Sequence, residues 1–573
     1  MTKAKRNWRN WIREFWSLTK PYWTSEEKWK GIFLLGSVIA LSLASVYMTV
    51  VFNTWNQQFY DALQRLDAGA FPKLVLRFAI LASIFIVVAV YKYYLMQLLQ
   101  IRWRRWMTAN TLGDWMKDRT YYVWQLSHQT TDNPDQRIAE DIREFVSESL
   151  SLTIGLFSEI VTLFSFLGIL WILSGPIDLP LPGGKSITIP GYLTWVCMIY
   201  AFGGTWLTHK IGRPLIFLNF QQQKYEADFR FNLVRLRENS ESVAMSKGAD
   251  TEKRSLLTRF NDVVVNFEAI MNKQKQIIFF QVLYNQVANV FPIFISAPRY
   301  FAGQIKLGGL MQIANAFGQV QGSLSYIVQS YSSIARWLSV VDRLAAFNST
   351  MTTAKQLAAQ KRDFATLSND SSKLYVKGLE LRLPNNKTLA SNLTAEFPKG
   401  KSVLISGPSG SGKSTFLRSL AGIWPFIEGK LEVPAGMNAM FLPQKPYLPI
   451  DTLRAALTFP DIPSKFSEQE IKQKMRTCNL EEFSNRLDEV QNWALVLSPG
   501  EQQRVAFVRV LLHKPDWVFL DESTSALDET TQAALYRALK EHLPGVSIIS
   551  VAHRASLREF HELYFDFGKK AFI

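Results

Sequence analysis

In the first half of the chain, apolar residues gather in stretches of roughly 20, the length at which a helix crosses a bilayer core. They fall at 31–52, 75–96, 152–174, 190–210 and 277–298, with a weaker sixth at 308–334. Between them, 97–150 and 211–276 are long and rich in Lys and Arg, as is 1–30, whereas 175–189 is short and nearly uncharged. Basic segments stay on the cytoplasmic side, so six spans return both termini to the cytoplasm. The pattern predicts a polytopic α-helical membrane domain over 31–344 whose helices extend beyond the bilayer.

The sixth stretch carries a finer pattern. Gln312, Asn315, Gln319, Ser323, Tyr326, Ser330 and Ser333 recur at three- and four-residue steps among Leu, Ile, Val and Phe, and Gln281, Asn285 and Asn289 make a similar stripe on the fifth. Such a face inside a bilayer must meet water or protein. It either ties helices together by hydrogen bonds or lines a hydrophilic translocation cavity. The length of both stripes and their lack of charge favour the cavity. Glu159 lies inside the third stretch, where a carboxylate is costly, and is a candidate proton site or a structural acceptor at a wet wall.

At the N-terminus, "RNWRNWIREFWSL" (6–18) places Trp8, Trp11, Ile12 and Phe15 on one helical face with arginines elsewhere. Within 1–30 it predicts an amphipathic elbow helix lying in the membrane interface, in contact with lipid, and not a cleaved signal peptide. A polar stretch rich in Ala, Ser, Thr and Lys at 345–373 reads as a linker. From 374 to 573 the apolar runs shorten to strand length.

One of those runs, Ser402–Ser406, opens onto "GPSGSGKST": Gly407, Pro408, Ser409, Gly410, Ser411, Gly412, Lys413, Ser414 and Thr415. The spacing GxxxxGK[ST] between a strand and a helix is that of a phosphate loop. Its glycines let backbone N–H groups turn inward on phosphate oxygens. Lys413 would reach the β- and γ-phosphates and the Ser414 hydroxyl would ligate Mg²⁺. A second run, "WVFLDE", delivers Asp521 and Glu522 to a strand's carboxyl end, where open α/β sheets bind ligands. Asp521 would complete the Mg²⁺ shell and Glu522 would polarise an attacking water. ATP with Mg²⁺ is the expected cofactor pair.

The total charge of +16 and the segment "IRWRRW" (101–106) raise the question of nucleic acid. Trp and Arg flanking a membrane span are better explained as interface anchors, so no nucleic-acid partner is expected. Mean hydropathy near zero averages two unlike halves. Two cysteines, Cys197 and Cys478, provide neither a disulfide framework nor zinc spacing.

"LSPGEQQR" (497–504) resembles the signature of ABC ATPases. Gln444 in "FLPQKP", "SALD" at 525–528 and His553 in "ISVAHR" resemble the Q-loop, D-loop and switch histidine in the expected order. The resemblance implies an α/β P-loop ATPase in which Glu522, His553 and Gln444 are catalytic and Gln444 also faces the metal. It further implies that Ser498, Gly500, Glu501 and Asp528 meet the nucleotide from a second ATPase domain. The sequence departs from LSGGQ at Pro499 and Glu501 while keeping the serine and second glycine. The aromatic that stacks on adenine in that family is not evident in "LELRLPNNKTL", Tyr375 lying too early.

"TDNPDQRIAEDIREF" (131–145), "FRFNLVRLRENSESVAMSKGADTEKR" (229–254) and "LGGLMQIANAFGQVQGSLSYIVQSYSSIARW" (307–337) resemble the membrane domain shared by SbmA/BacA peptide transporters and the D subfamily of ABC transporters. The whole chain resembles fused bacterial half-transporters of the YddA type and, more distantly, a mycobacterial cobalamin importer. This implies six exporter-like membrane helices fused to the ATPase, in the bacterial inner membrane. One phosphate loop and one signature per chain imply a homodimer. The implied activity is ATP-driven transport of bulky hydrophilic solutes or peptides, import by analogy. Export, acyl-CoA or lipid transport, or a proton-driven peptide transporter with a regulatory ATPase are the alternatives. Asn133 and Pro134 break a charged helix where a turn would rest on the ATPase.

Overall fold

The computed structural model describes residues 8–127, 133–180, 186–360, 365–368 and 373–573. In chain order the first elements are α1 (Trp8–Trp23), α2 (Lys28–Gln64), α3 (Phe71–Met116), α4 (Thr120–Ser127), α5 (Pro134–Gln136) and α6 (Ile142–Ser174). They are followed by the hairpin β1 (Pro176–Pro180) and β2 (Ser186–Pro190), then α7 (Tyr192–Glu238), α8 (Ser240–Met245), α9 (Ala249–Phe301), α10 (Leu307–Gln329) and α11 (Tyr331–Gln360). The chain divides into two units, 1–111 with 133–347, and 112–132 with 348–573.

In the first unit the stretches 31–52, 75–96, 152–174 and 277–298 fall inside α2, α3, α6 and α9, while 190–210 begins just before α7 and 308–334 runs from α10 into α11. Among the described residues, four helical stretches are long and apolar enough to cross a membrane: Lys28–Gln64, Phe71–Leu126, Pro134–Ser174 and Ala249–Phe301. Neither α7 nor α10 is one of them, and for α10 its surroundings explain why: α10 packs against α2, α6, α7 and α9, so less of its surface has to be apolar. It also ends at Gln329, and α11 starts afresh at Tyr331, so the 308–334 stretch is not one helix. Asp61 and Gln64 at the end of α2 accept hydrogen bonds from the backbone N–H of Gly308 and Leu307, each at 2.8 Å. They satisfy two of the donors that a helix start leaves open.

α1 forms where the sequence predicts it, but its apolar face meets protein. Trp11 stacks on Phe15 and both rings meet Trp337 edge-on, at 4.9 and 5.2 Å, while Phe15 also contacts Phe145. Ile12 and Trp16 are left exposed. Residues 345–360 continue α11 as a helix where composition suggested a linker. Ala, Gln, Lys and Met there are good helix formers and Met351 and Ala354 are buried. The remainder of that stretch includes 361–364 and 369–372, outside the described residues, as are Thr131 and Asp132.

Asp141 is a buried charge among the described residues of this unit, 2% exposed. It accepts from Arg343 Nη2 at 2.6 Å and Arg137 Nη1 at 2.7 Å. One carboxylate shared by two guanidinium groups meets the condition under which a buried charge is tolerated.

The second unit is an α/β domain. After β3 (Ala365–Ser368) come β4 (Lys373–Arg382), β5 (Thr388–Pro398), β6 (Ser402–Ser406), α12 (Lys413–Leu420), β7 (Ile427–Pro434) and β8 (Ala439–Leu442). Next are β9 (Ile450–Thr452), α13 (Leu453–Thr458), α14 (Glu468–Thr477), β10 (Val490–Asn492), α15 (Trp493–Val496) and α16 (Pro499–His513). The domain closes with β11 (Trp517–Asp521), α17 (Glu529–His542), β12 (Ser547–Val551), β13 (Leu563–Asp566) and β14 (Ala571–Phe572). Among the described residues one sheet runs β14-β13-β6-β12-β11-β8, parallel except for β14. Its central strands are buried along their length, as parallel strands covered on both faces are. A second sheet, β3-β7-β4-β5, packs its Leu374, Val376 and Phe397 with Phe416 and Phe565. The segment 112–127 belongs to this unit, with Arg119 Nη1 donating to the Ala421 carbonyl at 3.0 Å and Leu126 packed on the same core. That contact lies upstream of Asn133 and Pro134, where the sequence suggested it.

His561 closes a buried chain of polar groups, its ring nitrogens meeting Ser550 Oγ and the Leu557 carbonyl at 2.8 Å each, with Tyr536 Oη 3.0 Å from Ser550 Oγ. Burial pushes the imidazole down to about 4, whereas an unfolded chain titrates near about 6.5. Between these values only the unfolded state takes up the proton, so stability is complete above about 6.5 and falls, by about 3 kcal/mol, as pH drops to about 4. Thermal unfolding of the full chain followed from pH 7 to 4 should show this slope, and His561→Gln should flatten it. An equal slope in both proteins would remove His561 from the account.

Candidate functional site

Four loops leave the parallel sheet at one level. Ile405 of β6 pairs with Val551 of β12, Val551 with Asp521 of β11, and Leu520 with Leu442 of β8. Gly407, His553, Glu522 and Gln444 therefore follow within two residues of register-matched positions. The carboxyl edge of a parallel sheet is where such folds bind ligands.

The loop after β6 turns through Gly412, at φ +102°, into α12. A Cβ at Gly407 would stand 3.2 Å from Phe567 Cβ, so glycine fits there without displacement. Lys413 Nζ donates to the Gly407 and Pro408 carbonyls at 2.8 Å each. Burial pushes the Lys413 ammonium down and the nearby Glu522 and Asp521 charges pull it back up. Ser411 Oγ is buried with no hydrogen-bond partner among the described residues. An unpaired hydroxyl beside a lysine and the start of a helix fits a phosphate oxygen.

Ser414 Oγ donates to Asp521 Oδ1 at 2.8 Å. Burial raises the Asp521 carboxyl, the Ser414 bond opposing it. Two hard oxygen donors, one of them a desolvated carboxylate, suit Mg²⁺. Glu522, held at φ +49°, sits between Gln444 Nε2 and His553 Nε2, each 3.4 Å from one of its oxygens. A non-glycine residue at positive φ at a sheet edge is a mark of functional sites.

The departures at Pro499 and Glu501 have a local cause. Ser498 caps α16, Pro499 occupies its first position, and Glu501 Oε2 accepts from the Ser498 N–H at 2.7 Å, completing a capping box. Proline and glutamate are favoured at those positions of a helix start. Gly500 lies close to the chain at 526–527, where a Cβ would be 3.3 Å from the Ala526 carbonyl. Asp528 caps α17, accepting from the Thr531 N–H and Oγ1 at 2.8 Å each, bonds that hold its carboxyl below the usual range.

Gln503 escaped sequence reading. It donates to the Gln444 carbonyl at 3.0 Å and to Ser525 Oγ at 3.3 Å, and accepts from the Ala526 N–H at 3.1 Å. One buried carboxamide thus joins α16 to the loops at 444 and 525. Its signal was a pair of glutamines, Gln502 and Gln503, at the start of a helix that is buried on all sides from Val505 to Leu512.

In the membrane unit, Gln281, Asn285 and Asn289 line a cavity of about 540 Å³ together with Thr205, Gln321 and Ser325. The α10 wall of this cavity is also formed by Gly318, Gly322 and Gln329, offset from the stripe read in the sequence. Gln312 and Ser323 are buried, Ser323 Oγ donates to Glu159 at 2.7 Å, and Tyr326 lies against Gly155. That part of the stripe ties α10 to α6, with Glu159 as acceptor, while Asn315 and Gln319 are exposed. A stripe at three- and four-residue steps covers a broad arc, and the glycines at 318 and 322 decide which side is hollow.

Residues 18–301 match the family model described as ABC transporter transmembrane region 2, and 390–525 that described as ABC transporter. The chain is 34% identical to the inner membrane ABC transporter ATP-binding protein YddA of Escherichia coli K12, over 95% of each. The chain belongs to the ABC transporters. It is a membrane protein, an ATP-driven transporter in which ATP hydrolysis is coupled to transport. The transporter is also 32% identical to ABC transporter D family member 2, chloroplastic, of Arabidopsis thaliana, over 96% of this chain and 85% of the relative. It is 23% identical to the human lysosomal cobalamin transporter ABCD4, over 95% and 92%. Its fold matches a bacterial Atm1-family ABC exporter with ATP bound, at a TM-score of 0.68 and 17% identity over 93% of each chain.

Removing the Gln503 carboxamide leaves three polar groups unpaired and frees two loops of the site. Gln503→Leu should lower the ATPase rate of the purified transporter about tenfold or more while leaving nucleotide affinity within about twofold. A rate equal to wild type would show that the loops hold their positions without it.

Proposed function

We propose that this transporter moves bulky hydrophilic compounds, peptides or cobalamin-like molecules, across a bacterial inner membrane by alternating access of a homodimer. The cavity carries the reading. Its walls offer hydroxyl and carboxamide groups from Thr205, Gln281, Asn285, Asn289, Gln321 and Ser325 and, among the described residues, include no charged side chain. Such a lining pairs with the amides and hydroxyls that peptides and cobalamin-like molecules present in number. Inward transport is supported by the resemblance to peptide and cobalamin importers, and the cytoplasmic location of both termini by the basic segments 1–30, 97–150 and 211–276.

At the ATP site, Lys413 and the N–H groups of 407–415 bind the phosphates, with Ser411 Oγ as a further donor. Ser414 and Asp521 would hold Mg²⁺, which would neutralise charge on the phosphate oxygens. Glu522 orients and accepts a proton from the attacking water, and Gln444 and His553 fix the carboxylate from either side. Ser498 and Gly500 of a second copy complete the site, because each chain has one phosphate loop and one signature. Closure of the two copies around ATP is passed to the membrane helices, and hydrolysis reopens them.

Glu159 accepts from Ser323, which supports a helix-tying role over proton coupling. Accumulation of labelled cobalamin and of a labelled proline-rich peptide should be measured in cells lacking other uptake routes. Uptake of one or both should vanish with Glu522→Gln and persist with Glu159→Gln. Uptake that survives the first and fails with the second would make the proton the driving force. ATPase stimulation by acyl-CoA alone would overturn the substrate class.

A further inference from the structure

A second hollow, about 410 Å³, lies apart from the cavity, between the start of α2 and the later part of α3. Trp29, Phe33, Leu34 and Leu98 form its apolar wall, and Lys30 and Arg102 stand on its rim. Trp29 and Phe33 are 72% and 74% exposed. The nearby rings of Tyr22, Trp23 and Trp103 pack at 5.1 to 5.8 Å from one another. Clustered Tyr and Trp at the end of a span mark the headgroup level of a bilayer.

The charges at this rim do not cancel. Glu27 is the carboxylate that faces both cations, 3.3 Å from Lys30 Nζ and 3.8 Å from Arg102 Nη1. Lys28 adds a further cation over the Trp29 ring at 5.8 Å. With Glu26 next to Glu27 in the chain, three cations against two carboxylates still leave an excess of positive charge beside an apolar slot open to the surroundings. An apolar groove with cations at one end is complementary to a single kind of amphiphile, one with an acyl chain and an anionic head.

We propose that this groove binds an anionic phospholipid. Its phosphate diester accepts from Lys30 and Arg102, and an acyl chain lies along Trp29, Phe33 and Leu98. Glu27 spaces the two cations so that they converge on one phosphate. The site is separate from the substrate cavity and sits where α2 meets α1, so the lipid would pin that helix junction at the interface.

Native mass spectrometry of the full-length transporter, released from nanodiscs holding equal phosphatidylglycerol and phosphatidylethanolamine, tests this directly. Wild type should retain phosphatidylglycerol preferentially. The double variant Lys30→Ala with Arg102→Ala should lose that retention about tenfold or more, and Lys20→Ala with Arg105→Ala, which removes two exposed cations outside the groove, should not. Equal retention of the two lipids by wild type, or equal loss in both double variants, would overturn the proposal. So would rapid disulfide formation between two copies carrying Phe33→Cys, since that would place a second chain in the groove.

Discussion

The parallel pairing of β6, β12, β11 and β8 is the constraint on which the ATP site depends. Parallel strands share one carboxyl edge, and their register holds whatever follows each strand at the same height. Val551, Asp521 and Leu442 are the last paired positions of their strands and Ser406, paired with Asp566, is that of β6, and chemistry begins within two residues of each. No single hydrogen bond positions Lys413, Glu522, His553 and Gln444 together. The ladder does, and a one-residue slip in β11 would turn Asp521 away from Ser414.

Around that edge, side chains set the finer geometry. Ser414 and Asp521 meet at 2.8 Å, and Gln444 and His553 flank Glu522 in direct contact, each 3.4 Å from one of its oxygens. Gln503 then links the start of α16 to both neighbouring loops. One carboxamide thereby ties the start of α16 to the loops at 444 and 525–526. In the membrane unit the same logic appears in reverse, since Ser323 and Glu159 use their polar groups to hold helices together and leave the cavity to Gln281, Asn285 and Gln321.

Sequence alone made the phosphate loop, the strand ends and the signature legible, because each couples a fixed spacing to a strand or helix boundary. It also placed four of the apolar stretches, 31–52, 75–96, 152–174 and 277–298, within helices. It was less able to orient α10, whose polar residues spread over so wide an arc that one half faces α6 and the other the hollow. Helix periodicity gives a face only to within the width of its stripe, and the small residues at 318 and 322 carried the missing signal. α1 was read as amphipathic from Trp11 and Phe15, yet nothing local says whether such a face meets lipid or the rings of Phe145 and Trp337. The helix through 345–360 was hidden by polar composition that suits a solvated helix as well as a linker.

Joining of two copies across ATP is the central claim, and one cross-link addresses it most directly. Cysteines introduced at the exposed positions Ser409 and Pro499, in the phosphate loop and at the signature, should be oxidised in the Glu522→Gln background in lipid nanodiscs. A covalent dimer that forms with ATP and not without it is the result this account predicts. A chain that remains monomeric with ATP bound, or cross-links within itself, would contradict it.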